Sequence, residues 1–298
     1  MTDGPASHRE LELPVPGLGG LYARGAAASG RLALTRRFGS SDDAIGPLPE
    51  VAYAVRGVRA DAAHLTAYQH LLGEPATDAL PAGFVHVLAF PVATALMTRS
   101  DFPLPLLGMV HLANAVTQHR PIRLGETLDV RAWARDLRPH RTGTQVDLVT
   151  EVSVADEVVW RGTSTYLAKG AGASGADDER EPFVAPVPTG QWRLPADTGR
   201  RYAAVSGDRN PIHLSALSAK ALGFPRAIAH GMYTASRALA DVGAARGEAF
   251  VWSAEFSKPV LLPSAPSVRL AREGGGFGYT VWRPGSTAPH LTGTVTPA

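Results

Sequence analysis

Two side chains with acid–base chemistry lie close together in the stretch Tyr202–His213, which reads YAAVSGDRNPIH. An Asn-Pro pair stands between Asp208 and His213, and a proline both restricts the residue before it and interrupts a helix. A fixed turn, rather than helical spacing, must therefore aim the carboxylate and the imidazole at one point. Such a pair suits the addition or removal of water, in which one group exchanges a proton with oxygen and another serves carbon. Asn210 can hold this turn or orient a ligand.

His230 and Gly231 stand near the start of the stretch Ala227–Val242, whose mostly apolar residues predict a helix. The first backbone N–H groups of a helix have no partner within it, and the helix dipole favours negative charge at that end. A glycine there also lets a ligand's carbonyl oxygen approach the backbone closely. The sequence therefore predicts an oxyanion site at Gly231.

Each of these features also has an ordinary structural interpretation. A Ser-Gly-Asp sequence followed by Asn-Pro is common in loops, where Asp caps a helix. A hydrogen-bonded structural histidine explains His213 equally well, and the Ala-rich helix is typical of a protein core. It is the combination of the features in one short part of the chain that favours a site.

Together these residues resemble the motif of the MaoC-like, or hydratase 2, family, which is close to Y-x-x-[LV]-S-G-D-x-N-P-[LIV]-H followed by a helix beginning near H-G-M. The matching positions are Tyr202, Val205, Ser206, Gly207, Asp208, Asn210, Pro211, Ile212, His213, His230, Gly231 and Met232. The resemblance implies an α+β hot-dog fold, in which an antiparallel sheet wraps around a long helix. It also implies that Asp208 and His213 are the catalytic pair and that the Gly231 amide binds a thioester carbonyl.

The activity that the resemblance implies is reversible hydration of trans-2-enoyl thioesters to (3R)-3-hydroxyacyl thioesters in fatty-acid metabolism. No metal or other cofactor is required for it. The carrier of the acyl group, coenzyme A or acyl-carrier protein, is left open, and so is the question of which member of the Asp208–His213 pair serves oxygen. Some relatives carry a Ser eight residues after the oxyanion glycine, where this chain has Leu239.

Composition divides the chain into two parts joined by a linker. Residues 170–190 are rich in Gly and Ala, then acidic, then rich in Pro, which is typical of a linker. Runs of β-branched residues with partial alternation predict strands on both sides of it, most clearly at Thr144–Val154. We therefore predict an N-terminal unit over residues 1–169 and a catalytic unit over residues 191–298.

The two parts are similar to each other. Residues 119–131 align without gaps on residues 257–269, and Tyr68–Glu74 aligns on Tyr202–Asp208. Two matches in the same order predict a duplicated unit and hence a double hot-dog. The first copy has no Asn-Pro-x-His after its Gly-Glu pair, which predicts a degenerate unit and one active site per chain. Such a chain makes by itself what single-unit relatives make as a dimer, so we expect a monomeric pseudo-dimer or a homodimer.

The first copy's apolar stretch Phe84–Met97 contains Pro91. A proline inside a helix removes a hydrogen bond, which predicts a short or broken helix here. A shortened helix would leave room for a longer acyl chain.

Composition excludes several other classes of protein. The chain has no Cys, which removes disulfides, thiolate nucleophiles and Cys-based metal sites. Its net charge is +2 and its arginines are scattered, whereas nucleic-acid binding needs a clustered basic stripe. Gly170, Gly172 and Gly175 form G-x-G-x-x-G, but no apolar helix follows them, so no dinucleotide site is predicted. No secretory signal and no apolar run of about 18 residues is found, so we expect a cytoplasmic protein that does not enter a membrane.

Two other functions are compatible with the same fold. Hot-dog folds also host acyl-thioesterases, and a non-catalytic acyl-binding subunit is plausible because one copy has lost its motif. The Asp-x-Asn-Pro-x-His spacing favours the hydratase over both. The motifs H-E-x-x-H and G-x-S-x-G are absent, which argues against a zinc peptidase and a serine hydrolase.

Overall fold

The computed structural model describes residues 8–22, 25, 45–106, 108–170 and 182–298. The chain divides into two compact units: unit 1 is Met1–Val58, Ala89–His111 and Thr127–Asp177, and unit 2 is Arg59–Leu88, Leu112–Glu126 and Asp178–Ala298. Residues 171–181 of the predicted linker, which include Gly172 and Gly175 of the G-x-G-x-x-G sequence, lie outside the described residues. The division into residues 1–169 and 191–298 therefore stays a prediction.

The strands, numbered in chain order, are β1 (Arg9–Glu12), β2 (Val51–Arg59), β3 (Val110–Gln118), β4 (Thr127–His140), β5 (Gly143–Val154), β6 (Glu157–Lys169), β7 (Gly190–Gln191), β8 (Phe250–Phe256), β9 (Ser267–Glu273), β10 (Gly276–Trp282) and β11 (Leu291–Pro297). The helices are α1 (Ala62–Leu72), α2 (Ala82–Met97), α3 (Thr198–Ser206), α4 (Pro211–Leu214), α5 (Ala216–Ala221) and α6 (Gly231–Val242), the last continuing into a 3₁₀ turn at Gly243–Arg246. Within the described ranges, no helix combines the length and the apolar character needed to cross a bilayer.

Unit 1 contains a sheet in the strand order β1-β2-β4-β5-β6. Strands β4, β5 and β6 form an antiparallel meander, while β1 runs parallel to β2. Alternate residues of β4, among them Leu128, Val130 and Ala132, are buried, as expected for a strand with one face on a core. The strand predicted at Thr144–Val154 is confirmed as part of β5.

Unit 2 contains a sheet in the order β3-β8-β11-β10-β9-β7, in which neighbouring strands are antiparallel. Helix α6 packs against β8, β9 and β11. Its residues Ala235, Ala238 and Leu239 are almost completely buried, and the small side chains of the two alanines let the helix lie close to the sheet. The predicted α+β class, with an antiparallel sheet around an apolar helix, is confirmed.

Unit 2 contains the same local structure twice. Helix α1 ends at Gly73 with φ 76°, and helix α3 ends at Gly207 with φ 71°. Glycine adopts this left-handed conformation without the steric penalty that a side chain incurs. An acidic residue follows each glycine, Glu74 in the first case and Asp208 in the second. The repetition supports the duplication predicted from the sequence.

A second repeated feature identifies which residues the first copy has lost. The paired hydrogen bonds are Leu80 N–H to Ile122 O and Leu124 N–H to Asp78 O in the first copy, and Ala229 N–H to Val260 O and Leu262 N–H to Ala227 O in the second. This correspondence places Pro81 where the second copy has His230, and Ala82 where it has Gly231. The first copy therefore lacks the histidine and the glycine at its helix start as well as the Asn-Pro-x-His sequence.

The predicted break at Pro91 is wrong, because α2 runs without interruption from Ala82 to Met97. A proline in a helix interior costs about 3 kcal/mol. The helix is heavily buried on both sides of the proline, with Phe84 and Leu96 at 0 % exposure, and each such side chain contributes roughly 1.5–3 kcal/mol when buried. Burial therefore offsets the lost hydrogen bond. Because the helix is not broken, it gives no reason to expect extra room for a longer acyl chain.

Candidate active site

A chain of short-range hydrogen bonds shapes the turn that carries Asp208. Its backbone N–H donates to Ser206 Oγ at 3.1 Å, and its Oδ1 accepts from the N–H of Asn210 at 3.1 Å. Asn210 Oδ1 in turn accepts from the N–H of Ile212 at 3.4 Å and caps helix α4. Pro211 occupies the first position of α4, where a missing N–H costs nothing. The observed bond of Asn210 is thus a helix cap, and its role toward a ligand stays a prediction.

The imidazole of His213 is buried and held in one tautomer. Its Nδ1 lies 2.9 Å from the carbonyl oxygen of Ile228. A carbonyl oxygen only accepts, so Nδ1 carries the proton, and the neutral ring presents the lone pair of Nε2. The backbone of the same residue lies against Gly199 of helix α3, where a Cβ would meet the His213 carbonyl oxygen at 2.1 Å. Gly199 is a residue that the sequence analysis missed, because its role depends on how α3 and α4 pack.

His230 joins the two motif segments and was not assigned a role beyond its match to the motif. It caps helix α6, and its Nε2 donates to the Asp208 carbonyl oxygen at 3.0 Å and lies 3.7 Å from Asp208 Oδ2. Its ring stacks on that of His213 with centroids 3.6 Å apart. The position where some relatives carry a Ser is Leu239, which lies in the core. In this chain Ser206 accepts a hydrogen bond from the backbone N–H of Asp208, and His230 donates one to its carbonyl oxygen.

Asp208, His213 and His230 form one compact cluster, with the nitrogen and carboxylate atoms that could bind a ligand within 4.8 Å of one another. A single water molecule can bridge groups at this separation with two hydrogen bonds of about 2.8 Å each. The donor set, one carboxylate and two imidazoles, also occurs around zinc and iron. However, the planes of the stacked rings differ by 25°, so their in-plane lone pairs run nearly side by side and converge poorly on one ion. The arrangement fits a bound water better than a metal.

Burial keeps three histidines of this region neutral. It lowers the pKa of His213 to about 3, an effect that neighbouring His230 strengthens and that Asp208 and the Ile228 carbonyl oppose. Burial likewise lowers the pKa of His230, against the attraction of Asp208. His86 on α2 belongs to the same electrostatic environment, since burial lowers its pKa to about 4 and Asp208 raises it. His86 was not predicted from the sequence, where its only signal is a histidine in an apolar helix.

The predicted oxyanion residue opens helix α6, with His230 as its cap. The N–H of Gly231 is thus among the first-turn donors that lack an intrahelical partner. A Cβ at this position would lie 3.1 Å from the ring of Phe256, which is tighter than ordinary packing. The absence of a side chain therefore lets the ring of Phe256, at the end of strand β8, pack against the helix start.

Comparison with known proteins agrees with this geometry. The model of the MaoC like domain matches residues 178–280. The chain is 38 % identical over 252 residues to 3-hydroxyacyl-thioester dehydratase X of Mycobacterium tuberculosis, covering 83 % of this chain and 90 % of the relative. The chain belongs to the MaoC-like dehydratase family. A solved structure of the mycobacterial protein superposes with a TM-score of 0.75 at 37 % identity, over 83 % of this chain and 100 % of that one.

More distant MaoC-like structures share the fold. A MaoC-like dehydratase from Phytophthora capsici has a TM-score of 0.66 at 20 % identity, covering 87 % of this chain and 98 % of that one. The hot-dog fold predicted for this family member is confirmed by these neighbours.

We expect Gly199→Ala to destabilise the protein and to lower the hydration rate. The new methyl group would lie 2.1 Å from the His213 carbonyl oxygen, so α3 and α4 must move apart, and overpacking of this kind costs roughly 1–3 kcal/mol. Urea denaturation and steady-state kinetics measure the two effects. Gly190→Ala is the matched control, because a Cβ there meets nothing within 4 Å. Equal stability of the two variants would show that the close approach is unimportant.

The buried histidines predict a loss of stability in mild acid. An unfolded histidine has a pKa near 6.5, so below that pH the unfolded chain binds protons that the folded chain, with lower pKa values at His86, His213 and His230, does not. The free energy of unfolding should therefore fall as the pH drops from 6.5, by up to about 1.4 kcal/mol per pH unit for each histidine. Denaturation curves at pH 7, 6 and 5 test this. His86→Gln should give a shallower pH dependence than the wild type.

Proposed function

We propose that the chain catalyses reversible hydration of trans-2-enoyl thioesters and dehydration of (3R)-3-hydroxyacyl thioesters. The observation that carries this proposal is the cluster of Asp208, His213 and His230 beside the start of helix α6, within 4.8 Å of one another. Membership of the MaoC-like family supports it, since the curated relative is named as a 3-hydroxyacyl-thioester dehydratase.

In the proposed mechanism, Asp208 and His213 hold one water molecule. Its proton passes to one of the two groups as its oxygen bonds to C3 of the enoyl chain. The electron pair of the double bond moves toward the thioester carbonyl, and the N–H of Gly231 stabilises the enolate oxygen, an interaction worth roughly 3–4 kcal/mol in comparable sites. A proton from the catalytic pair then bonds to C2. The net change is the addition of one water molecule, and the reverse sequence is the dehydration.

The tautomer of His213 gives it a definite part in holding the water. Because Nδ1 donates to the Ile228 carbonyl, the Nε2 lone pair is available to accept a hydrogen bond from the water. Asp208, with about a quarter of its side chain exposed, supplies the second contact. His230 positions Asp208 by donating a hydrogen bond to the carbonyl oxygen of Asp208.

Two signals measured with crotonyl-CoA as substrate test the proposal: the enoyl absorbance and the concentration of free thiol. Loss of the enoyl absorbance without release of free thiol supports the hydratase, and chiral analysis of the product tests the (3R) assignment. Release of thiol would instead support a thioesterase, a function found on the same fold in an acyl-ACP thioesterase from Bacteroides thetaiotaomicron, which superposes with a TM-score of 0.56 at 11 % identity. If neither signal changes with any enoyl thioester, the proposal is wrong and a non-catalytic acyl-binding role is favoured.

A further inference from the structure

Helix α5 and the loop after it expose large apolar side chains. Leu217 is 81 % exposed and Leu222 is 42 % exposed, whereas Ala219 on the opposite side of the helix is fully buried. Leu217 and Lys220 are three residues apart and share one face of the helix. Exposed apolar side chains rimmed by polar residues are one mark of a surface that binds another molecule.

This surface is the outer side of the segment that holds His213. Ser218 Oγ donates to the Pro211 carbonyl at 2.7 Å, which ties α5 to the helix that carries the histidine. Downstream of α5, the N–H of Ile228 donates to the Ile212 carbonyl, and the Ile228 carbonyl accepts from the His213 ring. A molecule bound over α5 therefore lies beside the catalytic turn.

The surface is also basic. From Arg209 to Ala240 the chain contains no Asp or Glu. Arg209, Lys220 and Arg226 are exposed, and none of the ion pairs found in the described part of the chain involves them. The segment from Arg209 to Arg226 thus carries three exposed cations and two exposed leucines, with no carboxylate of its own to neutralise the charge.

We propose that this surface, formed by Arg209, Leu217, Lys220, Leu222 and Arg226, docks an acidic acyl-carrier protein that delivers the thioester on its prosthetic arm. The inference rests on the proposed function and names the carrier of its substrate. An acidic helix with a few apolar side chains complements both the cations and the leucines, as in other helix-recognition surfaces. The phosphates of coenzyme A would use the cations but leave the leucines in water. A second copy of this chain would bring like charges together.

The experiment compares three crotonyl thioesters: one on an acidic bacterial acyl-carrier protein, one on coenzyme A and one on pantetheine. In Leu217→Glu and Arg226→Glu, kcat/KM for the carrier-protein thioester should fall by about tenfold, the loss of a single strong contact. The pantetheine thioester should react as in the wild type, because it has neither protein nor nucleotide. Val184→Glu, at another highly exposed apolar position (84 %), is the control and should change nothing.

Calorimetric titration with the holo carrier protein, carrying no acyl group, measures docking independently of activity. Binding to the wild type that is lost in Leu217→Glu supports the inference, even if no thioester is hydrated and the proposed function fails. Absence of binding to the wild type overturns it. An equal loss toward the coenzyme A thioester would assign the surface to the nucleotide, and a change of oligomeric state in the variants would assign it to a second copy. Either result overturns the docking proposal and leaves the hydratase proposal intact.

Discussion

His213→Gln and Asp208→Asn are each expected to lower kcat for hydration by about 10²–10⁴-fold, the contribution of a positioned acid–base group. Gln cannot take up the proton of the bound water, and Asn has lost the charge of the carboxylate. Both side chains keep most of their volume and hydrogen-bonding atoms, so the fold should survive. Circular dichroism and steady-state rates with crotonyl-CoA measure fold and activity separately.

The double variant of Asp208 and His213 should be scarcely slower than the slower single variant. Groups that act on one water molecule function as a unit, and their effects do not add. His70→Gln, at an exposed position of α1, is the control and should retain full activity. If either single variant hydrates the substrate at the wild-type rate, the assignment of that residue is wrong, even if the proposed reaction is right.

Glu74→Ala is expected to destabilise the protein by about 3–5 kcal/mol, the cost of leaving one member of a buried ion pair without its partner. Glu74 Oε2 lies 2.9 Å from Arg246 Nη2, and the two side chains are 2 % and 15 % exposed. Arg246 also donates to the Leu239 carbonyl at 3.0 Å, near the end of helix α6. Urea denaturation at pH 7 measures the loss.

An exposed ion pair of the same unit provides the matched control for Glu74. Arg123 and Asp78 lie 2.9 Å apart, but their side chains are 54 % and 59 % exposed, so Arg123→Ala should cost less than about 1 kcal/mol. A double variant with Met at both Glu74 and Arg246 should recover much of the stability, because no unpaired charge remains buried. A loss at Glu74→Ala no greater than that of the control would contradict the buried pair.

The two copies show how one local structure serves two purposes. In each, a helix ends on a left-handed glycine and an acidic residue follows. In the second copy the acid lies beside His230, whereas in the first copy it pairs with Arg246 near the far end of the same helix α6. The first copy thus keeps an acidic residue, Glu74, although it lacks the other residues of the site. We therefore expect substitution of Glu74 to affect the stability of the protein.

The sequence by itself determined the parts of the site that depend on neighbouring residues. The Gly207 turn, the cap by Asn210 and the start of α4 at Pro211 use bonds between residues at most four apart. Turn and cap residues act on their own backbone, so their types and order specify the local geometry. For the same reason the duplicated turn at Gly73 was visible as a sequence match.

Only the tertiary structure decided which groups surround that turn. The His213–Ile228 bond spans 15 residues, the His230–Asp208 bond 22, and the Glu74–Arg246 pair 172. The unbroken helix α2 at Pro91 also depends on tertiary structure, since burial of its side chains outweighs the local tendency of proline to break a helix. Contacts of this kind depend on how helices and sheet pack, and no spacing along the chain encodes them. The sequence therefore predicted Asp208 and His213 as a catalytic pair, and the structure supplied the buried histidines and the carbonyl that surround the two residues.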